Sequence, residues 1–86
     1  MHRTTFAFWA NFDRLPSRVQ SSARRNYKLL VDDPRHPSLH FKPVRGRENL
    51  WSVRIGIHYR ALAERRPYGY LWFWIGSHAE YDGILR

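Results

Sequence analysis

The chain has 86 residues, with 15 Lys and Arg against 7 Asp and Glu, a formal charge of +8, no cysteine and 16% aromatic residues. That length is near the lower end of what one core supports, so a single domain over residues 1–86 is expected, with large rings supplying much of the buried area. Disulfides and thiolate metal sites are excluded, and the arginine-rich charge favours a polyanionic partner, nucleic acid or an acidic protein before an anionic membrane.

Met1 to Thr5 is polar and reads as a frayed end or a short edge strand. Phe8, Phe12 and Leu15 then recur on one helical face, with Thr4 or Thr5 as N-cap and Pro16 as the stop. A second helix is expected from Ser17, where Ser17 and Gln20 have capping-box spacing. Val19, Ala23, Tyr27 and Leu30 form its apolar stripe, and Asp32-Asp33-Pro34 ends it. Two helices joined in this way form a hairpin whose apolar face needs a sheet to pack on.

Pro34 to Ser38 is a loop by composition. His36 and His40 are four apart, but Pro37 disfavours a regular helix and no third ligand clusters with them. They read as exposed or loop-capping residues, and neither a metal nor a cofactor is expected. Leu39 and Phe41 alternate with His40 and Lys42, so a short strand is expected, and Pro43 confines it to an edge. Arg45-Gly-Arg-Glu-Asn is a turn.

The central feature is a hairpin from Trp51 to Leu62. Trp51, Val53 and Ile55 alternate with Ser52 and Arg54, and Tyr59, Ala61 and Ala63 alternate with Arg60, Leu62 and Glu64. A three-residue turn at Gly56-Ile57-His58 sets Arg54 opposite Arg60 and Ile55 opposite Tyr59. Facing like charges are destabilising. Two readings stand: the guanidinium groups are held for an anion, or they splay into water. A two-residue turn would separate them onto opposite faces.

Glu64 to Gly69 is expected as the next turn. Tyr70-Leu-Trp-Phe-Trp-Ile-Gly76 lacks polar alternation and reads as a strand covered on both faces. Leu71, Phe73 and Ile75 are expected against the helices, with Tyr70, Trp72 and Trp74 on the arginine face. This run is too short to span a bilayer and the N-terminus has no signal-peptide-like run, so a cytoplasmic location is expected. Ser77 and Glu80 again have capping-box spacing, which predicts a short C-terminal helix or turn.

Between Lys42 and Arg66, seven basic residues are interleaved with Trp51 and Tyr59 and followed by Tyr70 and Trp72. Guanidinium groups beside rings suit single-stranded RNA, although the same pairs also occur as ordinary surface packing. The candidate RNA-binding set is Lys42, Arg45, Arg47, Trp51 and Tyr59. His78 and Tyr81 directly follow the apolar strand. Metal-independent RNA cleavage needs one group to take the 2′-hydroxyl proton, a second to protonate the leaving oxygen, and cations to stabilise the phosphorane. Arg54, Arg60, His78 and Tyr81 are the candidates for those tasks.

Three pieces in order carry a resemblance to a known family: Asp33-Pro-Arg-His-Pro-Ser-Leu-His-Phe-Lys42, Trp51-Ser-Val-Arg-Ile-Gly with Tyr59-Arg-Ala-Leu62, and Trp74-Ile-Gly-Ser-His-Ala-Glu-Tyr-Asp82. With them the chain resembles the RelE/ParE superfamily of bacterial type II toxin–antitoxin toxins, from Leu15-Pro16 to the C-terminus. The resemblance implies an α+β fold, a helical hairpin on a twisted three- to four-stranded antiparallel sheet, with the usual first strand truncated or absent. It implies a cognate antitoxin, usually acidic, as partner. It also implies one of two activities: cleavage of mRNA in the A site of the 30S ribosomal subunit, or poisoning of DNA gyrase. By position, Arg54 and Arg60 look like the family's basic residues, His78 like a C-terminal catalytic residue, and Tyr81 like a tyrosine that stacks on the base or assists proton transfer. Ser52 departs from the lysine of RelE, and Lys42 is the expected substitute.

Overall fold

The computed structural model describes residues 1–85 and contains one five-stranded sheet under a helical hairpin. Strand β1 is His2–Thr4, followed by helices α1 (Phe6–Asp13) and α2 (Ser17–Asp32). Strands β2 (Lys42–Pro43), β3 (Leu50–Ile55), β4 (Tyr59–Arg66) and β5 (Gly69–Ser77) follow, and helix α3 (His78–Ile84) closes the described chain. The order across the sheet is β1-β5-β4-β3-β2. Arg86, the last residue of the expected tail, lies outside the described residues.

The expected α+β layering is present, but the strand count and the all-antiparallel sheet are corrected. Residues 2–4 form a real strand that runs parallel to β5, with His2 beside Tyr70 and Thr4 beside Trp72. Backbone bonds tie its ends, from Tyr70 N–H to the Met1 carbonyl at 2.8 Å and from Thr5 N–H to the Trp72 carbonyl at 3.0 Å. Three polar residues show no alternation, so only the long-range partner makes this segment a strand.

The hairpin helices form largely as the spacing predicts. Thr5 caps α1 by accepting the Phe8 N–H at 3.1 Å. The Ser17–Gln20 capping box is not formed. Pro16 occupies the cap position, Ser17 is the first helical residue, and Gln20 Nε2 donates to the Phe12 carbonyl at 3.0 Å, binding α2 to the end of α1. The strand expected from Leu39 shrinks to the edge pair Lys42–Pro43, because residues 37–39 form a single 3₁₀ turn that buries Leu39. The expected turn at Glu64–Gly69 is also shorter, since β4 continues to Arg66.

The core lies between sheet and hairpin. Val53, Ile55, Ala61, Ala63, Trp72 and Ile75 meet Phe12 and Leu30 there. The expected phase of β5 is corrected by a bulge: Ala63 faces Trp72 but Leu62 faces Trp74, so Phe73 is an extra residue. A bulge reverses which side chains point inward beyond it. Trp72 therefore joins the core with Ile75, and Leu71 pairs with Glu64 on the other face. Tyr70 likewise packs on the helix side, against Phe41 and Trp51 at 5.0 and 5.3 Å between ring centroids.

His2 fastens the edge strand. Its Nδ1 accepts the Trp72 indole N–H at 3.0 Å, and its ring stacks on Tyr70 at 5.6 Å and meets the edge of Tyr27 at 5.8 Å. Burial first, and the charged N-terminus second, hold its pKa below the ordinary 6.5. The unfolded chain thus protonates His2 at a higher pH than the folded chain. The stability from this residue is present above the unfolded value and is lost as pH falls through the folded one. Between about pH 7.5 and about pH 5 the melting temperature is expected to drop more in the native chain than in His2→Phe. Equal drops in calorimetry would remove the assignment.

Candidate active site

The hairpin β3–β4 has the expected register, with Arg54 opposite Arg60 and Ile55 opposite Tyr59. Gly56 makes the turn possible by adopting a φ of +62°, a conformation other residues resist. The two arginines neither splay apart nor repel one another out of place. Arg54 Nε donates to the Gly56 carbonyl at 3.1 Å. Arg60 Nη1 donates to the carbonyls of Tyr59 at 2.8 Å, Ile57 at 3.3 Å and Gly56 at 3.4 Å. The carbonyl dipoles of the turn offset the like charges. Burial first, and the facing Arg54 second, lower the pKa of Arg60, while Tyr81 and Asp82 pull it upward. Among the described residues, the side-chain hydrogen bonds of the pair run through Nε and Nη1 of Arg54 and Nη1 of Arg60.

Helix α3 is set beside this turn by its first residues. The expected Ser77–Glu80 capping box is formed, with Glu80 N–H to Ser77 Oγ at 3.2 Å and Ser77 N–H to Glu80 Oε1 at 3.0 Å. The Ser77 backbone N–H first, and its hydroxyl second, hold the Glu80 carboxyl below the usual carboxylate range. His78 follows, and its backbone N–H donates to the His58 carbonyl at 2.6 Å, two residues before Arg60. The His78 Nε2 lies 3.2 Å from Asp82 Oδ2, one helical turn on. The Tyr81 ring is 6.0 Å from that of His78 and 6.5 Å from that of Trp74. Trp74, paired with Leu62, thus shares the arginine face, where it is expected.

Beneath these groups lies a small second core. Leu62 is fully buried although it points away from the hairpin, and it is flanked across the strands by buried Ser52 and by Trp74. Lys42 pairs with Ser52, so its side chain starts beside that residue. A cleft of about 480 Å³ opens here, lined by Lys42, Val44, Arg45, Arg47, Ser52, Tyr81 and Leu85. Arg47 Nη2 reaches the Leu85 carbonyl at 3.4 Å across its mouth.

Of the residues predicted from sequence, Arg54, Arg60, His78 and Tyr81 are gathered around the turn and α3, and Lys42, Arg45 and Arg47 line the adjoining cleft. Trp51 and Tyr59 are not brought there. Trp51 packs on Phe41 at 4.9 Å under the Arg65 guanidinium, and Tyr59 packs against the main core. Both alternate with the arginines and so fall on the opposite face. Two further residues belong to the neighbourhood. Asp82 was legible as an i, i+4 partner of His78 once the tail was read as a helix. His40, whose Nε2 lies 3.2 Å from Arg54 Nη1, gave no such signal. His36 caps its own loop by accepting the Ser38 N–H at 3.2 Å. No group of three metal-binding side chains occurs among the described residues, and none of their helices is long and apolar enough to cross a membrane.

Residues 17–83 match the ParE-like toxin domain family. No curated protein matches the sequence. Among solved structures the chain is similar to one in the RelB–RelE antitoxin–toxin complex from Methanococcus jannaschii, with a TM-score of 0.71 and 15% identity over 98% of this chain and 99% of that one. It is also similar to YafQ from E. coli, with a TM-score of 0.74 and 9% identity over 94% and 96% of the two chains. A third similar structure is the YoeB/ParE toxin from Agrobacterium tumefaciens, with a TM-score of 0.68 and 17% identity over 90% and 96%. At such identities the structural likeness is one of fold.

Proposed function

Because the chain belongs to the ParE-like toxin domain family, as a toxin of RelE/ParE type, we propose that it acts as a ribosome-dependent mRNA endoribonuclease in the cytoplasm. The observation that carries this reading is the meeting of a paired-arginine turn with a histidine–aspartate pair and a tyrosine on one helix. The cleft cations Lys42, Arg45 and Arg47 track the RNA backbone. Arg54 and Arg60 meet the scissile phosphate with the guanidinium nitrogens that the turn carbonyls do not engage and stabilise the charge of the phosphorane. His78, oriented through Nε2 by Asp82, and Tyr81 carry the protons. One takes the proton of the 2′-hydroxyl, whose oxygen attacks phosphorus. The other gives a proton to the departing 5′ oxygen, leaving a 2′,3′-cyclic phosphate and a 5′-hydroxyl. No metal takes part. A cognate antitoxin with an acidic binding segment covers the same basic cleft.

Primer extension on mRNA from cells expressing the protein tests this. Discrete stops within translated codons are expected. A second reading, inhibition of DNA gyrase without RNA chemistry, draws on the ParE-like family match and on the engagement of both arginines by turn carbonyls. Inhibited supercoiling by purified protein, with intact mRNA in a translation reaction, would select it.

A further inference from the structure

The sequence offered His40 as a loop residue, yet its side chain reaches the arginine pair. The contact between Arg54 Nη1 and His40 Nε2 spans 3.2 Å and fourteen residues of chain. A guanidinium has no acceptor, so the arginine donates and the imidazole accepts, which requires a neutral ring carrying its proton on Nδ1. Arg54 is thereby held at two points, Nε on the Gly56 carbonyl at 3.1 Å and Nη1 on His40. Arginine side chains on strands are otherwise free to sweep a wide arc, and two bonds from different nitrogens fix the plane of the fork.

The backbone under His40 is also unusual. Its φ is +46°, in the left-handed region that non-glycine residues seldom occupy. The preceding residue, Leu39, has no exposed surface, and the His40 N–H closes the 3₁₀ turn onto the Pro37 carbonyl at 3.4 Å. A buried anchor therefore holds the backbone in a sparsely populated conformation, and that conformation carries the ring to Arg54.

We infer that His40 is a positioning residue for Arg54: it fixes the plane of the guanidinium and leaves Nη2 for a phosphate oxygen. The charged groups beside this contact are Arg60 across the hairpin and Lys42 two residues along the chain. The inference deepens the nuclease reading and rests on it for the identity of the anion, but the pinning of Arg54 stands on its own geometry.

The test uses three variants of the whole protein. His40→Asn tolerates the left-handed backbone but is too short to replace Nε2, and His40→Gln restores an acceptor at similar reach. Arg54→Ala removes the partner. The probe is a short oligoribonucleotide with 2′-O-methyl sugars, which binds without being cut, read by fluorescence anisotropy. His40→Asn is expected to weaken binding about tenfold, as for loss of one charge-assisted hydrogen bond, and His40→Gln to recover most of it. In the Arg54→Ala background, His40→Asn is expected to add nothing. In parallel, nitrogen-15 spectra are expected to show slow rotation about the Arg54 Cζ–Nη1 bond in the native chain and the Gln variant, and fast rotation in the Asn variant. Additive losses in the cycle, or an Arg54 signal indifferent to His40, would overturn the inference. If Arg54→Ala alone leaves binding unchanged, the phosphate-contact reading fails, while the Arg54 signal still decides whether His40 pins it.

Discussion

Replacing Arg60 by alanine is expected to slow cleavage of ribosome-bound mRNA by about 10²–10³-fold, the usual cost of deleting one preorganised charge-stabilising group. The residue is held rigidly before any substrate arrives. Its Nη1 rests on three turn carbonyls, and the strand register places Gly76 opposite it, next to the start of α3. Stabilisation by a group already oriented needs no rearrangement as negative charge builds on the phosphorane. Lysine at this position keeps the charge but lacks the fork, so Arg60→Lys is expected to recover only part of the rate. Because Arg60 also braces the turn, single-turnover rates should be read beside thermal melts, with the rate loss greatly exceeding what unfolding explains. Cleavage by a folded Arg60→Ala protein at the native rate would end the nuclease assignment of this pair.

The largest stability effect is expected at Leu62. Leu62→Ala should cost about 2–5 kcal/mol, the range for emptying a fully buried leucine site. The residue has no exposed surface, yet it lies on the sheet face that carries the arginines rather than on the hairpin face. Its neighbours across the strands are Ser52 and Trp74, and Trp74 supports the Tyr81 ring. Emptying this site removes the floor under α3 as well as destabilising the sheet. Denaturant unfolding should show a lowered midpoint, and Leu62→Met should lose less than about 1.5 kcal/mol. A loss below about 1 kcal/mol for alanine would mean that this second core collapses freely.

The sequence was most readable where alternation was unbroken and a single glycine marked the turn. Arg54 and Arg60 fell into register because Gly56 allowed a three-residue connection and both strands kept period two. Ser77 and Glu80 were legible for a similar reason, since their capping box is local and needs no tertiary partner. The phase of β5 was not readable: a bulge at Phe73 leaves no trace in a run that is apolar at every position. The same break misplaced Tyr70 and Trp72. Trp51 and Tyr59 looked like base-stacking residues only because composition records proximity in sequence and not the side of the sheet. The parallel pairing of β1 with β5 was invisible, since it joins residues nearly seventy positions apart through three polar side chains. His40 was hidden by the 3₁₀ turn before it, which breaks both periods and redirects the ring.

The seating of Met1 beside the start of β5 also decides where the molecule can be handled. The Met1 carbonyl accepts from Tyr70, while His78 follows the far end of the nine-residue strand Gly69–Ser77. At a rise of about 3.3 Å per residue, roughly 26 Å of strand separates the two. A fluorophore or affinity handle attached at Met1 therefore emerges at the opposite pole from α3, leaving the cleft unobstructed for labelled assays.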